Sequence, residues 1–271
     1  MRWRPGDGWR GALRRMLHAV GLLEPAFRLR DLWRSVGDLG RAPAVAADGL
    51  PIPPAHLRHL VAGTADVDWF LSSGRNSAAS IGDLLARHGV ALKEIESILD
   101  FGCGCGRVIR HWAGLAARIQ GVDRNRRLVR WCRRHLPFAS FDMNRVEPPL
   151  RGHAGEFQLV YALSVFSHLP EGLQRPWIEE LRRVTRVGGH VIFSIHGESY
   201  RETLTDEERR RFDEGRLVVR AGEAAGRNVC GAFHPPSYTR QLVVDGLEMV
   251  EHVPEGATGN PRQDLILLRR V

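Results

Sequence analysis

The chain has 271 residues, of which 43% are hydrophobic and 26% are charged, and its formal net charge is +8. This composition argues against wholesale disorder, and the sequence lacks both the roughly 18-residue apolar run of a membrane span and the apolar core of a secretory leader. Four cysteines are too few for a disulfide framework, so we expect a cytoplasmic protein.

The first 42 residues form a basic segment, with nine arginines against four acidic residues. Apolar side chains recur there at helical spacing, which predicts a helical extension. A basic amphipathic helix can bind an anionic membrane surface, so this segment is a candidate for peripheral membrane contact. Because the apolar face is short, we favour a helix packed on the main domain or a poorly ordered terminus. Residues 43–56 are rich in proline and alanine and are predicted to be a linker.

The main domain is predicted over residues 57–271, beginning with a helix capped by Asn76 and stopped at Gly89. Beyond it, short apolar strands alternate with helices, which predicts a doubly wound, mostly parallel α/β sheet. The last two strands have no helix between them and are expected to form an antiparallel hairpin at the sheet edge. The predicted strands are 97–101, 118–123, 138–142, 157–163, 190–196, 247–253 and 264–270, and the helices between them are 107–117, 126–135 and 173–186.

Residues 197–236 interrupt this alternation after the fifth strand. Thr205 and Glu208 have the spacing of a capping box before a charged helix. The segment follows the carboxyl end of a strand, which is the side of an open α/β sheet where ligands bind. It is therefore either a cap over a ligand site or a solvated insertion.

The strongest motif is the glycine-rich loop that runs from Asp100 to Gly106. Glycine at every second position allows a tight turn and a close approach of the backbone to a ligand. Asp123 ends the second strand, where an acid can accept the ribose hydroxyls of an adenosine ligand; the alternative role is to cap the next helix. Arg107 stands where a dinucleotide-binding loop has its third glycine, which disfavours a nicotinamide-dependent oxidoreductase.

The loop, the acid and the strands around them resemble class I S-adenosylmethionine-dependent methyltransferases, over about residues 75–271. The matching stretches are LDFGCGCG, FQLVYALSVFSHLP and TRVGGHVIFSIHG, together with Asp123, Asp142 and the terminal hairpin. The resemblance implies a Rossmann-like sheet with an antiparallel last strand. It also implies S-adenosylmethionine as the cofactor of a methyltransferase.

The resemblance further implies a role for each part of this framework. Asp100 and the loop backbone would hold the methionine end of the cofactor, Asp123 the ribose, and Asp142 with Met143 the adenine. Residues from Ala162 to Ser164 would line the sulfonium. Arg75 would pair with the cofactor carboxylate; the alternative is a solvent-exposed arginine at the start of a helix. The cofactor-binding candidates are Arg75, Asp100, Phe101, Gly102, Cys103, Gly104, Gly106, Asp123, Asp142, Met143 and Ala162.

Two histidines are candidates for proton transfer. His168 lies just past the fourth strand, where the acceptor of this family faces the methyl group, and a histidine there can act as a general base near neutral pH. The alternative is a histidine that only shapes the loop. His196, at the end of the fifth strand, is the second candidate. Cys103 and Cys105 have no Cys or His partners at zinc spacing, so no metal site is expected.

The expected acceptor is a small molecule, methylated at oxygen, nitrogen or carbon. Enzymes of this family that methylate base or glutamine amide nitrogens often carry an Asn/Asp-Pro-Pro-Tyr/Phe motif, and residues 162–165 here read ALSV. Three alternatives stay open. They are an RNA methyltransferase, which the net charge suggests although nucleic acid is not the favoured partner, an oxidoreductase, and a non-catalytic cofactor-binding module docked to a partner or membrane.

Overall fold

The computed structural model describes residues 44–152, 154–260 and 262–271, so the predictions for residues 1–42 lie outside the described part. The chain divides into two compact units between Val67 and Asp68. In the described part of the first unit, Val45 and Pro51 form an antiparallel bridge. Helix α1 (Ala55–Ala62) follows and ends at Gly63, which has a left-handed conformation. Helix α1 thus begins inside the segment that the sequence predicts as a linker.

The second unit is built on a seven-stranded sheet with the order β3-β2-β1-β4-β5-β9-β8. The first five strands pair in parallel, and β9 runs antiparallel to both of its neighbours. The predicted Rossmann-like sheet, with its antiparallel last strand and edge hairpin, is confirmed. The strands are β1 (Ser97–Phe101), β2 (Arg118–Asp123), β3 (Ser140–Met143), β4 (Phe157–Ala162), β5 (Thr185–Ile195), β8 (Leu247–Val253) and β9 (Asp264–Arg270).

The helices differ from the prediction in two places, and the first is the helix before β1. Helix α2 spans Val67–Arg87, so the predicted start at Asn76 is wrong and Asn76 lies in the middle of the helix. The helix extends further towards the N-terminus because this half packs closely against the segment after the glycine-rich loop. A Cβ at Gly74 would lie only 2.1 Å from the carbonyl oxygen of Arg107, so the two backbones are in direct contact there. The other helices are α3 (Arg126–His135), α4 (Glu171–Val184), α5 (Asp206–Asp213) and α6 (Pro236–Gln241).

The second difference is the helix predicted over residues 107–117, which is wrong. Only a short 3₁₀ turn, Ile109–Trp112, forms there. Arg107 and Trp112 are buried and bonded to distant elements, and Gly114 has a φ of 97° that ends the turn. Tertiary contacts therefore override the helical pattern. In the described part of the chain, the glycine-rich loop is therefore followed by a 3₁₀ turn and not by the N-terminus of an α-helix.

The core lies between the sheet and the helices that cover it. All five residues of β1 are buried, and Trp177, Ile178 and Leu181 of α4 are at most 1% exposed. The Trp177 ring lies 4.4 Å from the ring of Phe101, centroid to centroid, so α4 covers the strand that carries the glycine-rich loop. Among the described residues, no helix is both long and apolar enough to cross a membrane.

The insertion at residues 197–236 is a small folded body. The capping box of α5 is confirmed, because Thr205 and Glu208 each bond the other's backbone N–H. Strands β6 (Val218–Arg220) and β7 (Gly231–Phe233) pair antiparallel, and β7 is not predicted from the sequence. A bridge between His196 and Phe233 joins β7 to the end of β5. The insertion has its own buried cluster, formed by Leu204, Phe212, Val218 and Phe233.

Candidate functional site

The candidate residues meet where the parallel strands end, here called the carboxyl edge. The loops after β1, β2, β4 and β5 all leave the sheet at this edge. The β8–β9 loop also lies there, since β8 runs parallel to β5. In open α/β sheets this edge is the ligand side.

The glycine-rich loop is tied to the neighbouring strand. The N–H groups of Gly102 and Cys103 both donate to the carbonyl oxygen of Val122, at 2.8 and 3.0 Å. Gly102, Gly104 and Gly106 all have φ between 58° and 89°, the left-handed region that favours glycine. A Cβ at Gly102 would lie 2.4 Å from Cγ2 of Val165. Both the backbone conformation and the close packing against Val165 therefore require glycine at position 102.

Asp123 receives two backbone hydrogen bonds. Its Oδ2 accepts from the N–H of Gly104 at 3.0 Å, and its Oδ1 accepts from the N–H of Asn125 at 2.7 Å. Helix α3 is capped by Asn125 itself, so the alternative role of Asp123 as the helix cap is wrong. Burial raises the pKa of Asp123. The side chain is half-buried, and each carboxylate oxygen has a second lone pair that can accept a ribose hydroxyl.

Asp100 is buried at the end of β1, with 3% of its surface exposed. Its carboxyl group accepts a hydrogen bond from the Tyr161 hydroxyl, which in turn accepts one from Nε1 of Trp112 at 2.8 Å. Burial raises the pKa of Asp100 to about 7. Its Oδ2 is buried without a hydrogen-bond partner among the described residues. Such an orphaned acceptor fits the ammonium group of the cofactor's methionine end.

A polar network that no local sequence pattern predicts adjoins the loop. Nη2 of the buried Arg107 donates to Oδ1 of Asn260 at 2.6 Å, and burial lowers the Arg107 pKa to about 10. Asn260 donates to the Ser164 hydroxyl at 2.7 Å. The hydroxyls of Ser164 and Ser194 both donate to Oε1 of Gln263, at 3.1 and 2.7 Å. The network holds Ser164, whose φ of 54° is strained, directly after the strand that Ala162 ends.

His168 has a defined proton position. Its Nδ1 lies 2.6 Å from the carbonyl oxygen of Cys230. A carbonyl only accepts, so Nδ1 carries the proton and Nε2 keeps a free lone pair. Burial lowers the pKa of His168 and lowers that of His196 further. The two rings lie 6.0 Å apart, and Tyr200 of the insertion lies 4.2 Å from His196, measured between ring centroids.

The remaining cofactor candidates are placed less uniformly. Ala162 is fully buried at the end of β4, and the Phe101 and Cys103 side chains are buried. Asp142 accepts from Nη2 of Arg133 at 2.6 Å, and Met143 beside it is 44% exposed. Arg75 is exposed on α2. The roles of these residues stay predictions.

The cysteines around the loop are free and buried. The Cys103 thiol hydrogen-bonds Cys132, and this contact together with burial raises the pKa of Cys103 well above its ordinary value. Within the described part of the chain, no three His, Cys, Asp or Glu side chains are grouped to hold a metal ion.

Residues 98–189 match the family model described as a methyltransferase domain. A ubiquinone biosynthesis O-methyltransferase from Thiobacillus denitrificans is 27% identical over 103 residues, which is 36% of this chain and 44% of that protein. The chain thus matches less than half the length of this curated relative.

Solved structures share the fold. A SAM-dependent methyltransferase from Methanosarcina mazei is 18% identical, with a TM-score of 0.52, over 69% of this chain and 97% of that one. A glycopeptide N-methyltransferase complexed with S-adenosylmethionine is 15% identical, with a TM-score of 0.51, over 72% of this chain and 93% of that one. The shared architecture confirms the predicted fold, and the family match places a methyltransferase domain on residues 98–189, which carry the glycine-rich loop and Asp123.

Proposed function

We propose that this chain is a class I S-adenosylmethionine-dependent methyltransferase and that it transfers a methyl group to a hydroxyl oxygen of a small molecule. The observation that carries the proposal is the 2.6 Å contact between Nδ1 of His168 and the carbonyl oxygen of Cys230, because a carbonyl only accepts, which assigns the proton to Nδ1 and leaves Nε2 as a base. A neutral hydroxyl is a weak nucleophile and gains from a base that takes its proton during attack, whereas a neutral amine attacks through its lone pair and loses its proton afterwards.

The residues at the carboxyl edge fit the cofactor. Oδ2 of Asp100 is the free acceptor for its ammonium group, and Asp123 is the acceptor for its ribose. The left-handed glycines allow the loop backbone to approach the part of the cofactor between its ammonium group and its ribose. Asp142 and Met143 are proposed to contact the adenine. The Asp142 carboxylate would then accept hydrogen bonds from both Arg133 and the adenine.

The chain's contribution to the reaction is orientation and one proton transfer. The bound cofactor supplies an activated methyl group. Nε2 of His168 accepts the proton of the acceptor hydroxyl as that oxygen becomes the nucleophile. The lowered pKa keeps His168 neutral at pH 7 and ready to accept a proton. Ser164, held by Gln263 and Asn260, fixes the turn between the end of β4 and this base.

We propose that the insertion caps the acceptor. Tyr200 and Phe233 place aromatic rings 4.2 and 5.3 Å from His196, on the ligand side of the sheet. Aromatic rings beside the candidate histidines favour a flat, aromatic acceptor, because aromatic pairs gain from stacked and edge-on contacts. The curated relative named above is an O-methyltransferase of ubiquinone biosynthesis, which supports a hydroxyl-bearing acceptor.

The test is a transfer assay with radiolabelled S-adenosylmethionine and a panel of phenols, catechols, aromatic amines and a structured RNA. We expect label in a phenol or catechol. Label in an amine or the RNA alone would overturn the hydroxyl assignment.

A further inference from the structure

Residues 221–230, here called the strap, join β6 to β7 and touch both sides of the candidate site. The Arg124 guanidinium donates to the carbonyl oxygen of Ala225. The N–H of the next residue, Gly226, donates to the carbonyl oxygen of His168 at 2.7 Å. The strap ends at Cys230, whose carbonyl accepts the Nδ1 proton of His168. Adjacent strap residues are therefore bonded to two separate loops of the domain.

The sheet order shows what the strap crosses. Arg124 directly follows β2, which ends at Asp123, and His168 follows β4. Strand β1 lies between β2 and β4, and the glycine-rich loop follows β1. A segment bonded to both neighbours at the carboxyl edge spans the loop that cradles the cofactor. A lid bonded at these two points would have to move for the cofactor to enter or leave.

The strap has few buried side chains. Of the strap side chains, Ala224 and Cys230 are buried, while most of the others are partly or largely exposed. Ala221 at its start and Gly226 at its centre have φ of 56° and 68°. Segments with few buried apolar contacts open at low free-energy cost. Left-handed residues at the start and centre fix the shape of the closed strap.

Arg124 is positioned as the latch. A Cβ built at Gly226 would lie 2.9 Å from Cδ of Arg124, so the arginine stem packs on the bare glycine backbone while its guanidinium reaches Ala225. A hydrogen bond from a charged group to a carbonyl is among the stronger single contacts available to a surface segment.

We propose that the strap is a lid over the cofactor site, latched by Arg124, and that its closure sets His168 as the base. The proposal rests on the proposed methyltransferase function. When the strap is closed, the Cys230 carbonyl holds the proton on Nδ1 and leaves Nε2 free. When it opens, Nδ1 loses this acceptor and either ring nitrogen can carry the proton. Arg124 and Cys230 are positioning residues, since they act through His168.

The experiment uses S-adenosylhomocysteine, so it needs no acceptor. Hydrogen exchange of the full chain, followed by mass spectrometry, should show slower exchange of peptides covering residues 221–230 when this ligand is bound. Arg124→Ala should speed the dissociation of S-adenosylhomocysteine about tenfold, the loss expected for one charge-assisted bond. Arg124→Lys should give a dissociation rate between those of the wild type and Arg124→Ala. Arg175→Ala, which removes an exposed arginine of α4 paired with Glu179, is the matched control and should change nothing.

A second pair of variants tests the latch by shape. Gly226→Ala should speed dissociation because its Cβ displaces Arg124. Gly114→Ala imposes similar backbone strain at a φ of 97° with open space around it, and should not. Nitrogen NMR of His168 should show the proton on Nδ1 in the bound wild type and a mixture of tautomers in Gly226→Ala.

The outcomes separate the two proposals. Two results would overturn the lid and leave the methyltransferase proposal intact. In the first, the wild type binds S-adenosylhomocysteine but hydrogen exchange of residues 221–230 does not change. In the second, Arg124→Ala and the wild type release the ligand at equal rates. A wild type that does not bind S-adenosylhomocysteine would overturn both, and the initial titration reveals this before any variant is compared.

Discussion

The backbone N–H of Gly104 donates a 3.0 Å hydrogen bond to Oδ2 of Asp123, which joins the glycine-rich loop to the end of the neighbouring strand. The loop and the ribose acid are therefore one mechanical unit, although 19 positions separate them in sequence. A change at either residue should disturb the other, because the carboxylate that faces the ribose also fixes the loop.

Asp100→Asn should stabilise the unliganded protein at alkaline pH. The folded-state pKa is raised from 3.8 to about 7, so the wild type loses stability as the pH rises from about 4 through 7, and each pKa unit corresponds to about 1.4 kcal/mol. The variant lacks this cost, which amounts to about 4 kcal/mol above pH 7. Urea unfolding at pH 5 and pH 8.5 measures it. A stability difference that is the same at both pH values would contradict the ionisation account.

The same substitution should weaken cofactor binding. Asparagine presents a neutral amide where the orphaned carboxylate oxygen stood. The affinity for S-adenosylhomocysteine is expected to fall by about tenfold, the value of one charge-assisted hydrogen bond. Stability and binding should thus move in opposite directions, a result that a simple folding defect cannot produce.

His168→Ala should lower turnover by about 10²- to 10⁴-fold, the usual contribution of a general base, a loss far larger than any fall in S-adenosylhomocysteine affinity from the missing strap bond to Cys230. In the wild type, burial lowers the pKa of His168, so turnover should hold at pH 7 and fall only when the pH drops below 6.5. The variant should regain rate as the pH approaches the pKa of the acceptor hydroxyl. Equal rates in variant and wild type at pH 7 would exclude His168 as the base.

Gly102→Ala should weaken S-adenosylhomocysteine binding by about tenfold or more. The new Cβ would lie 2.4 Å from Cγ2 of Val165, at a φ of 87°, and the left-handed conformation alone costs about 1–2 kcal/mol. Adding Val165→Ala removes the clash but not the strain, so the double variant should recover part of the affinity. Calorimetric titration compares them. No recovery in the double variant would show that the clash is not the cause.

His234→Gln should make the protein more resistant to acid. His234 is 1% exposed and burial lowers its pKa from 6.5 to about 3. The unfolded chain binds a proton at 6.5, so the wild type loses stability as the pH falls from 6.5 towards 3, by up to about 5 kcal/mol. Glutamine does not titrate and keeps a donor for Gln174, which lies 3.1 Å from His234. Parallel acid unfolding curves for the two proteins would refute this.

The sequence predicts the features that depend on residues close together in the chain. The glycines of the loop, the acid at the end of β2 and the strand alternation each occupy a short stretch, so the sheet and the cofactor edge follow from them. The residues it misses are joined across the chain. Arg107 bonds Asn260, 153 positions away, and Trp112 bonds Tyr161, 49 positions away.

The same limit explains the wrong helix after the loop. The pattern from Arg107 onward is helical, but the buried side chains of Arg107 and Trp112 are bonded to other elements and hold the backbone in a 3₁₀ turn. No local pattern records such partners. The strap contact on His168 is of this kind as well, since His168 and Cys230 are 62 positions apart.

Calorimetric titration of the full chain with S-adenosylhomocysteine, beside Asp123→Ala, tests the central claim most directly. We expect micromolar binding in the wild type and at least about tenfold weaker binding in the variant, because the variant loses both the ribose acceptor and the Gly104 bond. Absence of binding in the wild type, or equal affinity in the two proteins, would contradict the assignment of this loop and this acid as the cofactor site.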